Sequence, residues 1–168
     1  ARIAERHLFT SDTERALLDP LRVRIARDLA GAQEWKLAQP WLMEARTRTP
    51  NDEGVLSSLL AVHRGLGERD RAVALCEEAV KLAAGTSGQW KWRVELPRSL
   101  CDAGRFASAR REIDRALVAA NLPPETKKEL ESLRERADDG VRQEDRRIAG
   151  LRPAVEKELA PLWGARAG

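Results

Sequence analysis

The sequence predicts an all-α protein, an α-solenoid of antiparallel helical hairpins followed by a C-terminal capping helix and a tail helix. Alanine recurs in pairs seven residues apart, Ala38 with Ala45, Ala72 with Ala79 and Ala109 with Ala116, and the pairs start 34 and then 37 residues apart. A period of that length marks stacked helical hairpins. Small residues at i and i+7 lie on one helix face and let a second helix approach closely. Composition agrees: with no Tyr, two Phe, and 42% hydrophobic against 34% charged residues, the weight falls on Ala, Leu, Glu and Arg, all strong helix formers.

Residues 1–19 read as an N-terminal helix or lead-in, in which Ser11 and Glu14 have the capping-box spacing and Asp19-Pro20 interrupts or restarts the helix. Residues 20–121 hold three hairpins. In the first, Leu21, Ile25 and Leu29 form one stripe up to a break at Gly31; the return helix, from about Gln33 to Arg48, carries Trp35, Ala38, Leu42 and Ala45 and is bent by Pro40. Asn51 or Asp52 caps the second hairpin, where Val55, Leu56, Leu59, Leu60 and His63 precede the Gly65-Leu66-Gly67 turn. Its return helix places Ala72, Leu75, Cys76, Ala79 and Leu82 on one face. The third runs from Trp90 to Asp102, turns at Ala103-Gly104-Arg105 and returns through Phe106, Ala109, Ile113, Ala116 and Leu117. Pro97 interrupts its first helix, and a register shift of one there brings Trp92 rather than Arg93 into the large apolar slot.

Residues 122–168 form the cap and tail. Pro123-Pro124-Glu125 starts a charged helix with Leu130, Leu133, Ala137 and Val141 on one face, and Asp138-Asp139-Gly140 can break it. Beyond, Ile148, Leu151, Val155, Leu159, Leu162 and Trp163 make a second stripe around Gly150 and Pro153. It packs back on the array or on another chain as a docking or dimer element.

These hairpins resemble the tetratricopeptide repeat (TPR) over residues 20–121. Gly67, Ala72 and Ala79 match that family's turn glycine and two second-helix alanines; Gly104, Phe106, Ala109 and Ala116 match them in the third unit, together with its aromatic. Trp35, Ala38, Ala45 and Pro50 stand at the corresponding positions of the first. The first helices depart from the pattern: Leu60 and His63 occupy the usual small and tyrosine positions of the second unit, and Pro97 a small position of the third.

The resemblance implies an interaction scaffold or adaptor whose first helices line a groove. In that phase Arg24, Arg27, Arg64, Lys91 and Arg98 turn inward, with Val23, Ser57, Ala61 and Val94 between them, forming a basic peptide-binding groove with Trp90 as an aromatic contact. Family members with a two-carboxylate clamp hold the acidic C-terminus of a peptide. Here only Lys91 matches the clamp, while Val23, Arg27, Ser58 and Glu95 replace a Lys, two Asn and an Arg. The expected partner is therefore an acidic or extended peptide of a protein. The alternatives are a nucleic-acid-binding helical repeat using Trp90-Lys91-Trp92-Arg93, in which aromatics alternate with cations, and homo-oligomeric assembly through the C-terminal helix.

Charge argues against nucleic acid: 30 basic residues face 27 acidic ones, a net +3. No run approaches the length of a membrane span and no signal peptide is in view, so no membrane insertion is expected. The chain starts at Ala1 rather than Met; read as a whole chain it is expected to be soluble and cytoplasmic. Cys76 and Cys101 lack metal or framework spacing and read as small core residues, with one bridge between neighbouring hairpins as the alternative. His7 and His63 stand in no ligand spacing, Glu77-Glu78 and Asp138-Asp139 point apart on a helix, and no nucleotide-binding, nucleophile-elbow or zinc motif occurs. No catalytic, metal or cofactor site is expected.

Overall fold

A computed structural model describes residues 12–164 in backbone and 20–158 in side chains. The described residues are all-helical: α1 (Asp12–Gly31), α2 (Trp35–Arg48), α3 (Glu53–Gly65), α4 (Arg69–Leu82), α5 (Gln89–Asp102), α6 (Phe106–Leu117) and α7 (Pro124–Gly164). The described residues divide into two compact units, the first ending at Trp92 and the second starting at Arg93, with the division inside α5.

One turn geometry recurs three times. Glu34, Glu68 and Arg105 donate their backbone N–H to the carbonyls of Leu29, His63 and Leu100, and the residue before each donates to Ala30, Arg64 and Cys101. This is the Schellman arrangement, which satisfies the last carbonyls of a helix by placing one residue at positive φ. Those residues are Gln33 (φ 62), Gly67 (φ 72) and Gly104 (φ 73), spaced as the alanine pairs are, 34 and then 37 residues apart. Ala38, Ala72 and Ala109 then donate to Glu34, Glu68 and Arg105, starting each return helix four residues later.

In the first unit α1 packs on α2 and α3, α2 on α3, and α3 on α4. The core holds Ala26, Ala30, Ala38, Leu42, Val55, Leu56, Leu59, Leu60, Val62, Ala72, Val73, Leu75, Cys76 and Ala79. The expected α1 stripe is corrected. Leu21 and Ile25 are exposed, and Ala26 and Ala30 face inward, because a close helix crossing favours the small side chains on the neighbouring face. Likewise the turn residue is Gln33, not Gly31, which stays helical.

In the second unit α6 packs on α7 and buries Ala109, Ile113 and Ala116, with Leu130, Leu133 and Ala137 buried on α7. The cap and tail are one 41-residue helix, unbroken at Gly140, Gly150 or Pro153. Its side chains from Arg142 to Glu158 are all exposed, including Ile148, Leu151 and Val155. Leu159, Leu162 and Trp163 of the expected stripe lie outside the described side chains, and Ser11 and His7 outside the described residues. Pro20, Pro40 and Pro97 also sit inside continuous helices. As the shifted register requires, Trp92 is buried at 1% exposure.

Candidate functional site

The six paired alanines differ at one place. Ala38, Ala72, Ala79, Ala109 and Ala116 are buried, whereas Ala45 is half-buried and lines a cavity of about 590 Å³ beside α1 and α2. Apolar wall comes from Pro20 and Val23 on α1 and Trp41 and Ala45 on α2; polar rim comes from Arg22, Arg24, Arg27 and Asp28 on α1, Glu44 and Arg48 on α2, and Thr49 and Asp52 beyond it. Four cations thus face three carboxylates.

Most of this charge is already engaged. Arg48 pairs with Glu44 at 2.7 Å one turn back, and Arg22 also has a partner. Arg27 donates from Nη2 to Asp52 Oδ1 at 3.1 Å. Asp52 is the N-cap of α3, and the same oxygen accepts the Val55 N–H at 2.8 Å, a carboxylate favoured at a helix N-terminus. The guanidinium of Arg27 lies over Gly54, where a Cβ would collide with it. Arg24 is exposed and forms no ion pair among the described residues; Asp28, one turn on, forms none either.

Lys91, on α5 within the first unit, donates from Nζ to Glu53 Oε1 at 3.0 Å and to Ser57 Oγ at 2.7 Å, with its ammonium 5.4 Å from the ring centroid of Trp92. Arg64 on α3 and Trp90 on α5 are half-buried, and both have partners. Val94, expected beside the groove, is buried. In the second unit Arg98 bridges Glu95 Oε1, at 2.6 Å, and Glu129 of α7.

Of the residues expected to form the basic groove, Arg24 and Arg27 therefore meet at one cavity. Arg27 and Lys91 are tied to successive carboxylates, Asp52 and Glu53, at the start of α3. The sequence reading named Asp52 as a candidate cap but missed it, Glu53 and Glu129 as ion-pair partners, which lie 25 to 38 residues from their cations in the chain; the local signal was a cap and an acidic first turn for Asp52 and Glu53, and none for Glu129. It also left Trp41 unassigned.

Two clusters lie elsewhere. His63, buried, has Nδ1 2.6 Å from Glu68 Oε2, and since an ionised carboxylate only accepts, the ring nitrogen carries the proton. Gln39 donates to the same oxygen at 2.9 Å and Arg71 to Oε1 at 2.6 Å. The His63 hydrogen bond holds the Glu68 carboxyl below its ordinary range, against the opposing effect of burial and with further help from the Arg71 charge. In the second unit Phe106, Ser132, Glu135, Arg136, Asp139, Gly140 and Gln143 line a shallower hollow of about 490 Å³. Cys76 and Cys101 are buried and form no disulfide, and burial pushes the Cys101 thiol up, leaving it a protonated packing group.

Among the described residues no cluster of His, Cys, Asp or Glu could hold a metal ion, and no helix is long and apolar enough to cross a membrane. The described residues thus define an all-helical protein in which one turn motif occurs three times. Comparison with protein-family models gives no match, and comparison with curated proteins gives no significant one.

Proposed function

We propose that this chain is a TPR-like helical scaffold or adaptor that holds a peptide segment of a partner protein, with the cavity beside α1 and α2 as its contact point. The observation that carries the reading is the cavity itself: Val23, Trp41 and Ala45 supply apolar wall and Arg24 a cation with no ion pair among the described residues, the combination that anchors protein interfaces. The repeated turns and alanine pairs support a stacked-hairpin solenoid, although Arg27, Lys91 and Arg98 use much of the expected groove charge within the chain. The same pairing disfavours a polyanion, whose binding depends on many unpaired cations displacing the counterions condensed along it.

Selection of a random peptide library displayed on phage tests this reading. Peptides should be enriched that perturb tryptophan fluorescence and lose affinity to the Arg24→Glu variant. Failure to enrich any peptide sinks it.

A second reading, self-association through α7, is favoured by the exposed Ile148, Leu151 and Val155, which share a face at i, i+3 and i+7. Sedimentation of the full chain and of a variant ending at residue 143 decides it: a dimer that becomes a monomer on shortening supports the reading, and equal masses reject it.

A further inference from the structure

We infer that the cavity at Ala45 recognises a two-residue signature in the partner: a large apolar side chain seated against Val23, Trp41 and Ala45, next to an Asp or Glu whose carboxylate pairs with Arg24. The inference rests on the peptide-binding reading above and gives its cavity a chemical specificity.

Shape and wall set the apolar half. In the second and third alanine pairs both members are buried, so those helix crossings are closed along their length; in the first only Ala38 is, and the space beside Ala45 is left open. At about 590 Å³ the cavity falls in the range of pockets that take a compact ligand, roughly 300–1,000 Å³. Pro20, Val23, Trp41 and Ala45 offer no hydrogen-bonding surface apart from the indole N–H. An Ile, Leu or Phe side chain matches that wall, and burying it displaces water from apolar area.

Charge sets the acidic half. Arg27 is committed to Asp52 and Arg48 to Glu44, and Arg22 has a partner. Arg24 alone among the four rim arginines forms no ion pair among the described residues. One carboxylate accepts a bidentate pair from one guanidinium. A phosphate-rich or multiply acidic ligand fits worse, because Asp28, Glu44 and Asp52 share the rim and would repel it. Asp28, the one rim carboxylate without an ion pair among the described residues, suits a backbone N–H of the bound peptide.

The test uses peptides enriched on the full chain, resynthesised with amidated C-termini, and titrations followed by tryptophan fluorescence. The enriched set should share an apolar residue beside an Asp or Glu. Changing that acid to Lys should weaken binding to the wild type by roughly tenfold or more. Against Arg24→Glu the order should invert, the Lys peptide binding more tightly than the acidic one. Ala45→Leu fills the cavity from a helical position and should abolish binding of the acidic peptide while circular dichroism and Tm stay at wild-type values. Enriched peptides without the signature, or an unchanged order in Arg24→Glu, overturn the inference while leaving peptide binding standing; absence of any enriched peptide overturns both. Loss of binding on C-terminal amidation assigns the carboxylate to a chain end and rejects the side-chain assignment. Binding that appears only after deletion of residues 1–11, or peptide that dissociates a dimer, identifies the occupant as this chain's own segment or a second copy, and the inference falls.

Discussion

The indole of Trp35, the first residue of α2, lies against Gly65, the last residue of α3, so closely that a methyl group at Gly65 would overlap the ring. The same relationship recurs in the second unit, where Phe106 opens α6 and its ring covers Gly140 of α7. In both, the aromatic at the start of a return helix seats on a glycine of the helix that follows the hairpin or lies beside its turn. The absence of a side chain at the glycine is therefore a packing requirement, since neither glycine holds a positive φ that would call for its conformational freedom.

Alanine should consequently act in opposite directions at glycines of similar helical environment. Gly65→Ala and Gly140→Ala are expected to destabilise by about 1–3 kcal/mol through overpacking. Gly150→Ala, with nothing within 4 Å of its Cβ position, should raise helicity and lower stability not at all, alanine being favoured by up to about 1 kcal/mol in a helix interior. Urea denaturation and far-ultraviolet circular dichroism of the three variants check this. A stabilising Gly65→Ala would show that Trp35 is free to move.

Gln33 offers a gain. It holds the left-handed turn position with φ 62 that Gly67 and Gly104 fill in the other two turns, and a residue with a Cβ pays roughly 1–2 kcal/mol there. Gln33→Gly removes that strain while loosening the unfolded chain, so a net stabilisation of about 0.5–1 kcal/mol is expected. The same exchange at Ala32, inside the turn but outside the left-handed position, should destabilise. Denaturation midpoints of the two variants give the comparison.

Asp52 combines two roles that substitution separates. Asp52→Ala removes both the cap on α3 and the Arg27 partner and should cost about 1–2 kcal/mol. Asp52→Asn keeps a capping oxygen and loses only the ion pair, both of whose side chains are 42% exposed, so its cost should stay below about 1 kcal/mol. A double-mutant cycle with Arg27→Gln isolates the pair; a coupling of several kcal/mol would contradict its solvent-screened setting.

How much of this was legible in the sequence depends on the range of the interaction involved. The alanine pairs and the turns at Gly67 and Gly104 are local patterns, and Ala72, Ala79, Ala109 and Ala116 are buried where periodicity placed them, whereas the first turn, expected at Gly31, falls at Gln33. Gly140 and Asp138-Asp139 look locally like a helix break, yet α7 runs through them because Phe106 packs on that glycine. Leu21 and Ile25 outrank Ala26 and Ala30 in hydrophobicity, but the tightness of the α1 crossing, a tertiary quantity, selects the alanines. The groove arginines were visible as cations. Their carboxylate partners were not, because pairing such as Lys91 with Glu53 spans 38 residues and is set by helix stacking that residue spacing alone does not define.

Glu68 gives the chain a specific acid sensitivity. Its carboxyl is held below the ordinary range by the hydrogen bond from His63 and the charge of Arg71, with Gln39 adding a further donor. A carboxyl depressed in the folded state contributes stability above its unfolded pKa, about 4.3, and that contribution drains away as the pH falls through the lower folded value. Glu68→Gln should therefore be less stable than wild type at neutral pH, with the difference shrinking steadily as the pH drops below about 4. His63→Gln weakens the hydrogen bond that lowers the carboxyl, so its acid loss should begin at higher pH than in the wild type. Urea midpoints measured from neutrality into acid test both variants. Parallel stability curves for wild type and Glu68→Gln would show that the carboxylate of Glu68 is not held by His63 in solution, and would remove this link between the second hairpin and the side chain of Gln39.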